Sequence, residues 1–354
     1  MDIQFINVIK VVTPAAIAFF IGIGFAPLLA NYLYKNQMWK KKAGKKAIGG
    51  GDTPIFNKLH EGKEVGTPKM GGVLIWWSVI LTTVLFAFLS QILDFDITSK
   101  LNFLSRNQTW LPLFTLIIGA LVGLIDDIFE VTGKSDYFAG GLSLSKRLLV
   151  VFLMSAAGAW WFFSKLEMTK IIIPLAGQID IGWIFIPFFI LVMLGIYSGG
   201  VIDGIDGLSG GVFSSMFSAY GILAFLQNQI DLAAFCFVIV GGLLAFLWFN
   251  IPPARFYMSE TGSMALTTTL TVVAFLTGQV LLLPIIAFPL VLTTLSDIIQ
   301  VASKKFRRGK KVFLVAPIHH HFEAIGWPGY KVTMRYWIIS VVCSFIGVII
   351  GLLK

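Results

Sequence analysis

Apolar runs of membrane-spanning length alternate along this chain with short polar breaks, and the acidic and histidine clusters fall where those runs end. The runs extend from Val8 to Tyr34, Gly71 to Leu93, Leu111 to Ile125, Arg147 to Ser164 and Trp183 to Tyr197. They continue from Gly210 to Leu226, Leu232 to Phe249, Met264 to Thr277, Val280 to Val301 and Tyr336 to Leu353. About ten helices follow, several near the ~20 residues that a bilayer core requires and some shorter. The fold class is therefore all-α: a polytopic membrane protein in which the last two long runs before Tyr336 meet at a very tight turn over Thr277-Gly278-Gln279. No linker or internal repeat divides the chain, so residues 1–354 read as one integral-membrane domain.

Composition strengthens this reading. With 57% hydrophobic and only 13% charged residues, a soluble fold would lack the polar surface to cover itself. The first run is longer than a signal-peptide core, lacks a small-x-small cleavage pattern and leads into a lysine-rich loop, so it reads as a retained helix. Cys236 and Cys343 both lie in apolar spans, where packing is the expected role rather than a disulfide or a thiolate metal site.

Charge supplies the orientation. If the N-terminus lies outside, all but six of the 27 basic residues fall in inside loops; the six are Lys10, Lys100, Arg106, Lys165, Lys170 and Lys354. The positive-inside rule then puts both termini outside and every acidic cluster on the cytoplasmic face. The net charge of +9 reads first as topology and second as attraction for anionic lipid and substrate, and ranks a nucleic-acid partner last.

The clusters are Asp126-Asp127, Asp203 with Asp206, Glu260, and His319-His320-His321 with Glu323. Asp126-Asp127 could merely solvate a helix end, but a carboxylate against lipid-depth sequence is costly unless it works or is paired. In GGVIDGIDGLSGG, residues 199–211, helix packing through small residues accounts for the glycines and not for the two acids. Glycines there allow close backbone approach to a ligand, and acids three apart face one point if the segment turns helically. No Walker lysine follows, which argues against a P-loop. Glu260 opens a helix after Pro252-Pro253, where it could complement the helix dipole or complete an oxygen-rich Mg²⁺ site. Three successive histidines do not converge easily on one ion, so substrate or phosphate contact is their expected role.

GTPKMGG (66–72), IDDIFE (125–130), DGIDGLSGG, the FN-to-ETGS stretch and above all APIHHHFEAIGWPGYKVTMRYWIIS (316–340) occur in one order along nearly the whole chain. Together they resemble the bacterial phospho-N-acetylmuramoyl-pentapeptide transferases of the polyprenyl-phosphate N-acetylhexosamine-1-phosphate transferase superfamily. The PIHHHFE segment is far more specific than the aspartates. The resemblance implies a ten-helix enzyme of the bacterial cytoplasmic membrane, with its active site on the cytoplasmic face. It would transfer phospho-MurNAc-pentapeptide from its UDP carrier to undecaprenyl phosphate in Mg²⁺-dependent peptidoglycan synthesis, giving lipid I and UMP.

By the same resemblance Asp126, Asp127 and Glu260 are catalytic, and Asp127, Asp206 and Glu260 are the candidate Mg²⁺ ligands. Asp203, Gly204, Ile205, Asp206, Asn250 and Tyr257 would form the uridine-diphosphate pocket, with Lys63, His319, His320 and His321 as further substrate contacts. Membrane lipid is an implied partner, and a homodimer is open. Three positions depart from the family pattern: Glu260 stands where Asp is usual, Gly200 where Asn is usual and Glu130 where Lys is usual, with Lys134 one turn on as a substitute cation. A sister enzyme using UDP-N-acetylglucosamine would keep the aspartates without PIHHHFE, and a transporter would place its acids nearer mid-span.

Overall fold

The computed structural model describes residues 3–41, 44, 53–59, 65–93, 95–133 and 141–353, with the backbone alone at 3, 56, 58, 59, 96 and 97. Lys63, Lys134 and the Gly49-Gly50-Gly51 run lie outside the described residues. The helices are α1 Ile3–Lys35, α2 Pro54–Leu59, α3 Val73–Ile92, α4 Asp96–Leu101, α5 Trp110–Thr132, α6 Leu144–Lys165 and α7 Phe185–Ser198. They continue as α8 Leu208–Leu226, α9 Ile230–Asn250, α10 Ser259–Leu276, α11 Leu283–Ile286, α12 Phe288–Phe306, α13 Ile318–Ala324 and α14 Gly329–Leu352. An antiparallel hairpin that the apolar pattern does not predict, β1 Lys170–Ile173 with β2 Gly177–Asp180, joins α6 to α7.

Among the described residues, eight helices are long and apolar enough to cross a membrane, and α11 with α12 makes a ninth if the bent pair is one span. The predicted single run from Val280 to Val301 is thus broken, with a bend of 78°. Pro289 near the start of α12 has no N–H to donate to the preceding turn, so the helix starts afresh there. The tight turn at Thr277 to Gln279 is present, with Gly278 at φ +68.

The eighth predicted span, Met264 to Thr277, which is α10, is not among the apolar helices. Other helices enclose it, and Thr261 to Phe275 are all buried, so it needs no lipid-compatible surface. Its threonines are satisfied within the helix: Thr267 Oγ1 donates to Ser263 O at 2.7 Å and Thr268 Oγ1 to Met264 O at 2.8 Å.

Close packing of α5 on α10 sets the position of the acids. A Cβ at Gly119 would lie 2.9 Å from Ala265 Cα, and one at Gly123 would press on the Glu260 carbonyl and lie 2.8 Å from Thr261 Cα. With only hydrogens there, the two backbones approach as small residues allow in membrane bundles. Asp126 and Asp127 follow one turn after Gly123 and therefore stand beside the first turn of α10. They are also inside α5, not beyond it as the apolar run suggests, because the helix continues to Gly133, whose φ of +65 ends it. Away from this end, Phe162, Phe185, Phe189 and Phe275 cluster, the last pair with ring centroids 4.4 Å apart, and lock α6, α7 and α10 together.

Candidate active site

A cleft of about 910 Å³ opens where α5 and α12 end and α8 and α10 begin. Asp127, Asp203, Gly204, Ile205, Asp206, Asn250, Tyr257, Glu260 and His320 all line it, so segments nearly 200 residues apart meet at one end of the bundle, as their common placement at run ends predicted. Lys40, Lys69, Arg147, Lys304, Lys305 and Lys311 line it too. A cavity holding carboxylates beside this many cations is suited to a polyanion and a hard metal ion together.

The acidic pair divides its work. Asp127 is fully buried, and its Oδ2 accepts the Thr261 backbone N–H at 2.9 Å and the Thr261 hydroxyl at 2.6 Å. It thereby satisfies an N–H in the first turn of α10 from a neighbouring helix. Its Oδ1 is buried with no hydrogen-bond partner among the described residues. Asp126 does not line the cleft. Its Oδ1 accepts the Leu142 N–H at 2.6 Å and lies 3.4 Å from Arg147 Nε. Gly141 wraps it closely, since a Cβ there would come within 2.8 Å of both carboxylate oxygens.

Glu260 is tied to Arg147, whose Nη1 donates to Oε1 at 2.6 Å. Glu130 pairs with Lys69 of the GTPKMGG segment, so the cation beside this acid comes from residue 69. That segment also adds backbone bonds to the loop before α10: Tyr257 N–H donates to Pro68 O at 2.8 Å and Gly71 N–H to Tyr257 O at 2.7 Å.

The glycine-rich run forms a compact turn. Asp203 accepts the Ser209 hydroxyl and the Ser259 N–H, both at 2.7 Å, and Asp206 accepts the Ala254 N–H at 3.0 Å. The two acids thus brace the loop between α9 and α10 as well as facing the cleft. Asn250 is buried and uses both ends of its amide, accepting from Gly207 N–H and donating to Phe256 O, each at 2.9 Å. Its reach as a ligand contact is limited by that structural task. Gly204 is required by crowding, because a Cβ would stand 2.6 Å from His320 Nε2 and 2.7 Å from His319 Nε2.

The histidines separate by role. His320 lines the cleft and its Nδ1 lies 2.8 Å from Glu323 Oε2. His319 is buried against His320 and Tyr336, and His321 Nδ1 accepts the Leu314 N–H at 3.3 Å; neither lines the cleft. Gln300 accepts the N–H groups of Val312 and Phe313, each at 3.0 Å, and so folds the basic segment after α12, residues 307–311, back beside the site.

Among the described residues, no three His, Cys, Asp or Glu side chains converge closely enough to hold a metal ion by themselves. Asp127, Asp206 and Glu260 share the cleft, but each is held on its own element by Thr261, Ala254 or Arg147. Mg²⁺ does not need a closed protein cage: it takes one or two carboxylates, keeps waters and uses substrate phosphates. The buried Oδ1 of Asp127 fits that demand.

Residues 109–278 match the description Glycosyl transferase family 4. A phospho-N-acetylmuramoyl-pentapeptide-transferase of Listeria innocua is 35% identical over 95% of this chain and 97% of its own length. One from Bacillus anthracis is 34% identical over 95% and 96%, and one from Chloroflexus aurantiacus 34% over 89% and 85%. The chain belongs to the phospho-N-acetylmuramoyl-pentapeptide-transferase family. It is a membrane-embedded transferase, and the resemblance carried by its motifs is borne out.

Several cleft residues of this transferase escape sequence reading. In the sequence Arg147 and the basic segment 304–311 read only as topology charges, and Asp297 on α12 carries no motif. The available signal is a charge at or within a turn of the end of an apolar run: Arg147 opens the run to Ser164, and Asp297 lies one turn before Val301.

Proposed function

We propose that this transferase moves phospho-MurNAc-pentapeptide from UDP-MurNAc-pentapeptide to undecaprenyl phosphate, releasing UMP and forming lipid I for peptidoglycan synthesis. The observation that carries the reading is the meeting, in one cleft, of Asp127, the Asp203–Asp206 turn, Glu260 and His320, each from a segment that resembles the family. The basic-residue bias supports a cytoplasmic-face site in the inner membrane, where a soluble nucleotide and a lipid can both arrive.

An oxygen of the lipid phosphate attacks the phosphorus that bears the sugar. The bond from that phosphorus to the UMP oxygen breaks, and UMP departs with the electron pair. The second pKa of a phosphate monoester is about 6, so at neutral pH the nucleophile is largely dianionic and a strong general base is not needed. Charge repulsion between nucleophile and diphosphate is the obstacle, and positioning with electrostatic stabilisation is the remedy. Lys40, Lys69, Lys304, Lys305 and Lys311 draw both anions into the cleft. The turn from Asp203 to Asp206 and Tyr257 offer the uridine-diphosphate contacts, and His320, held by Glu323, offers a donor to phosphate. Asp127, with Asp206 or Glu260, would hold Mg²⁺, which when bound neutralises the diphosphate and stabilises the leaving UMP.

The test is UMP release by the purified chain with undecaprenyl phosphate and a panel of UDP-sugars. Release should require UDP-MurNAc-pentapeptide, the polyprenyl phosphate and Mg²⁺ together. Preference for UDP-N-acetylglucosamine would move the protein to the sister activity, and full turnover in excess chelator would remove the metal.

A further inference from the structure

Arg147 lines the cleft and is engaged by two carboxylates from different helices, Asp126 and Glu260. Arg147, in the first turn of α6, keeps 19% side-chain exposure and touches three acceptors. Its Nε donates to Leu142 O at 3.0 Å and lies 3.4 Å from Asp126 Oδ1, and its Nη1 donates to Glu260 Oε1 at 2.6 Å. Leu142 closes the ring by donating its own N–H to Asp126 at 2.6 Å. Tyr197 on α7 faces the same guanidinium. Three helices, α5, α6 and α10, are therefore fastened through one side chain in the wall of the cleft.

We propose that Arg147 is a positioning residue for the transfer: it holds the Glu260 carboxylate at a fixed place relative to Asp126 and Asp127, and only a guanidinium reaches all its acceptors. This rests on the transferase reading above. A guanidinium presents rigidly spaced N–H donors, so one face serves Asp126 and Leu142 while another serves Glu260; an ammonium is a single point of charge and satisfies one of these places at a time. The length of Glu260 is part of the fit. Shortening it to Asp withdraws the carboxylate by up to about 1.5 Å, which takes a 2.6 Å bond out of hydrogen-bond range. With Oε1 held by Arg147, Oε2 accepts, among the described residues, only the Ser263 hydroxyl at 3.4 Å, and Glu260 lines the cleft. The carboxylate is thus gripped on one edge and available on the other.

The experiment compares the full-length chain in detergent with Arg147→Lys, Glu260→Gln and the double variant. Lysine keeps the charge, so what it removes is the geometry. In steady-state UMP release, Arg147→Lys should lower kcat by roughly tenfold to a hundredfold, the range for residues that orient a metal ligand, with KM for the nucleotide sugar nearly unchanged. Added to Glu260→Gln, it should cost little more, because its effect runs through Glu260. A raised KM with kcat kept would make Arg147 a substrate contact, and multiplicative losses would make it independent of Glu260; either overturns the proposal. Mn²⁺ titration followed by electron paramagnetic resonance, without substrate, supplies an arm that does not depend on turnover. Arg147→Lys should weaken Mn²⁺ binding by about tenfold when Glu260 is intact and hardly at all when it is combined with Glu260→Gln. Unchanged affinity with Glu260 intact, or no Mn²⁺ binding by the unaltered chain, overturns the positioning role. Failure of UMP release with the Mn²⁺ pattern intact would instead reject the transferase substrates. Should Arg147→Lys not fold, Glu260→Asp carries the same test from the other side of the bond.

Discussion

Asp127 shows how one buried carboxylate can be both structural and chemical. One oxygen anchors the start of α10 through Thr261, and the other is buried without a protein partner among the described residues. Asp127→Asn removes the charge but keeps an acceptor for Thr261, and a buried amide is spared the desolvation cost of a carboxylate. Turnover should fall by about a hundredfold or more while the melting temperature in detergent moves by a few degrees at most. Near-normal UMP release would reduce Asp127 to an anchor for α10. Thr261→Ala makes the complementary test: it deletes the 2.6 Å hydroxyl bond, and hydrogen bonds to charged groups contribute about 1.5–3 kcal/mol, so thermal unfolding should register a loss of that size.

Between helices, the decisive contact is the seam of α5 with α10. A methyl group at Gly123 has no room against the first residues of α10, and overpacking of this kind costs about 1–3 kcal/mol. Gly123→Ala should therefore lower the melting temperature and reduce turnover together, by displacing Asp127 from Thr261. Gly24, with nothing within 4 Å of a built Cβ, should accept alanine without either effect and serves as the control. Gly200 sits between these cases. A Cβ there meets Ser263 and Thr267 at 3.5 Å, an ordinary contact, so Gly200→Ala should fold as the unaltered chain does. Circular-dichroism melts of the three variants distinguish these outcomes.

For the whole molecule, the shared cleft gathers His320, Asp127, the Asp203 turn and Glu260 at one end of the helix bundle. In the orientation proposed above, which the charge bias supports, that end faces the cytoplasm. In a chain lacking Cys236 and Cys343, a cysteine at Asn107 or at Leu175 in the exposed hairpin should react with an impermeant thiol reagent in intact cells. One at Gly309 should react only after the membrane is opened. Labelling of Gly309→Cys in intact cells would invert the orientation, and opposite behaviour of Asn107 and Leu175 would break the span count between α3 and α7.

The hydrophobic pattern by itself determined the class of fold, nearly every span and the gathering of acids at run ends, because lipid demands long apolar helices and tolerates charge only where it works or is paired. The motifs also pointed to Asp126-Asp127, the Asp203–Asp206 turn, Glu260 and the His319–His321 run as site residues, of which Asp126, His319 and His321 do not line the cleft. Tertiary structure alone decided which partners those side chains have. Arg147 and Glu260 are 113 residues apart, and Lys69 meets Glu130 across separate elements, so neither pairing leaves a local periodic trace. The same holds for α10. A threonine-rich helix reads as a weak membrane span until its neighbours enclose it, since burial within the bundle, and not contact with lipid, is what its surface satisfies. The bend before α12 and the sequestration of Asp126 by residues 141 to 147 likewise arise from packing: prolines and glycines permit these shapes, but only the surrounding helices select them.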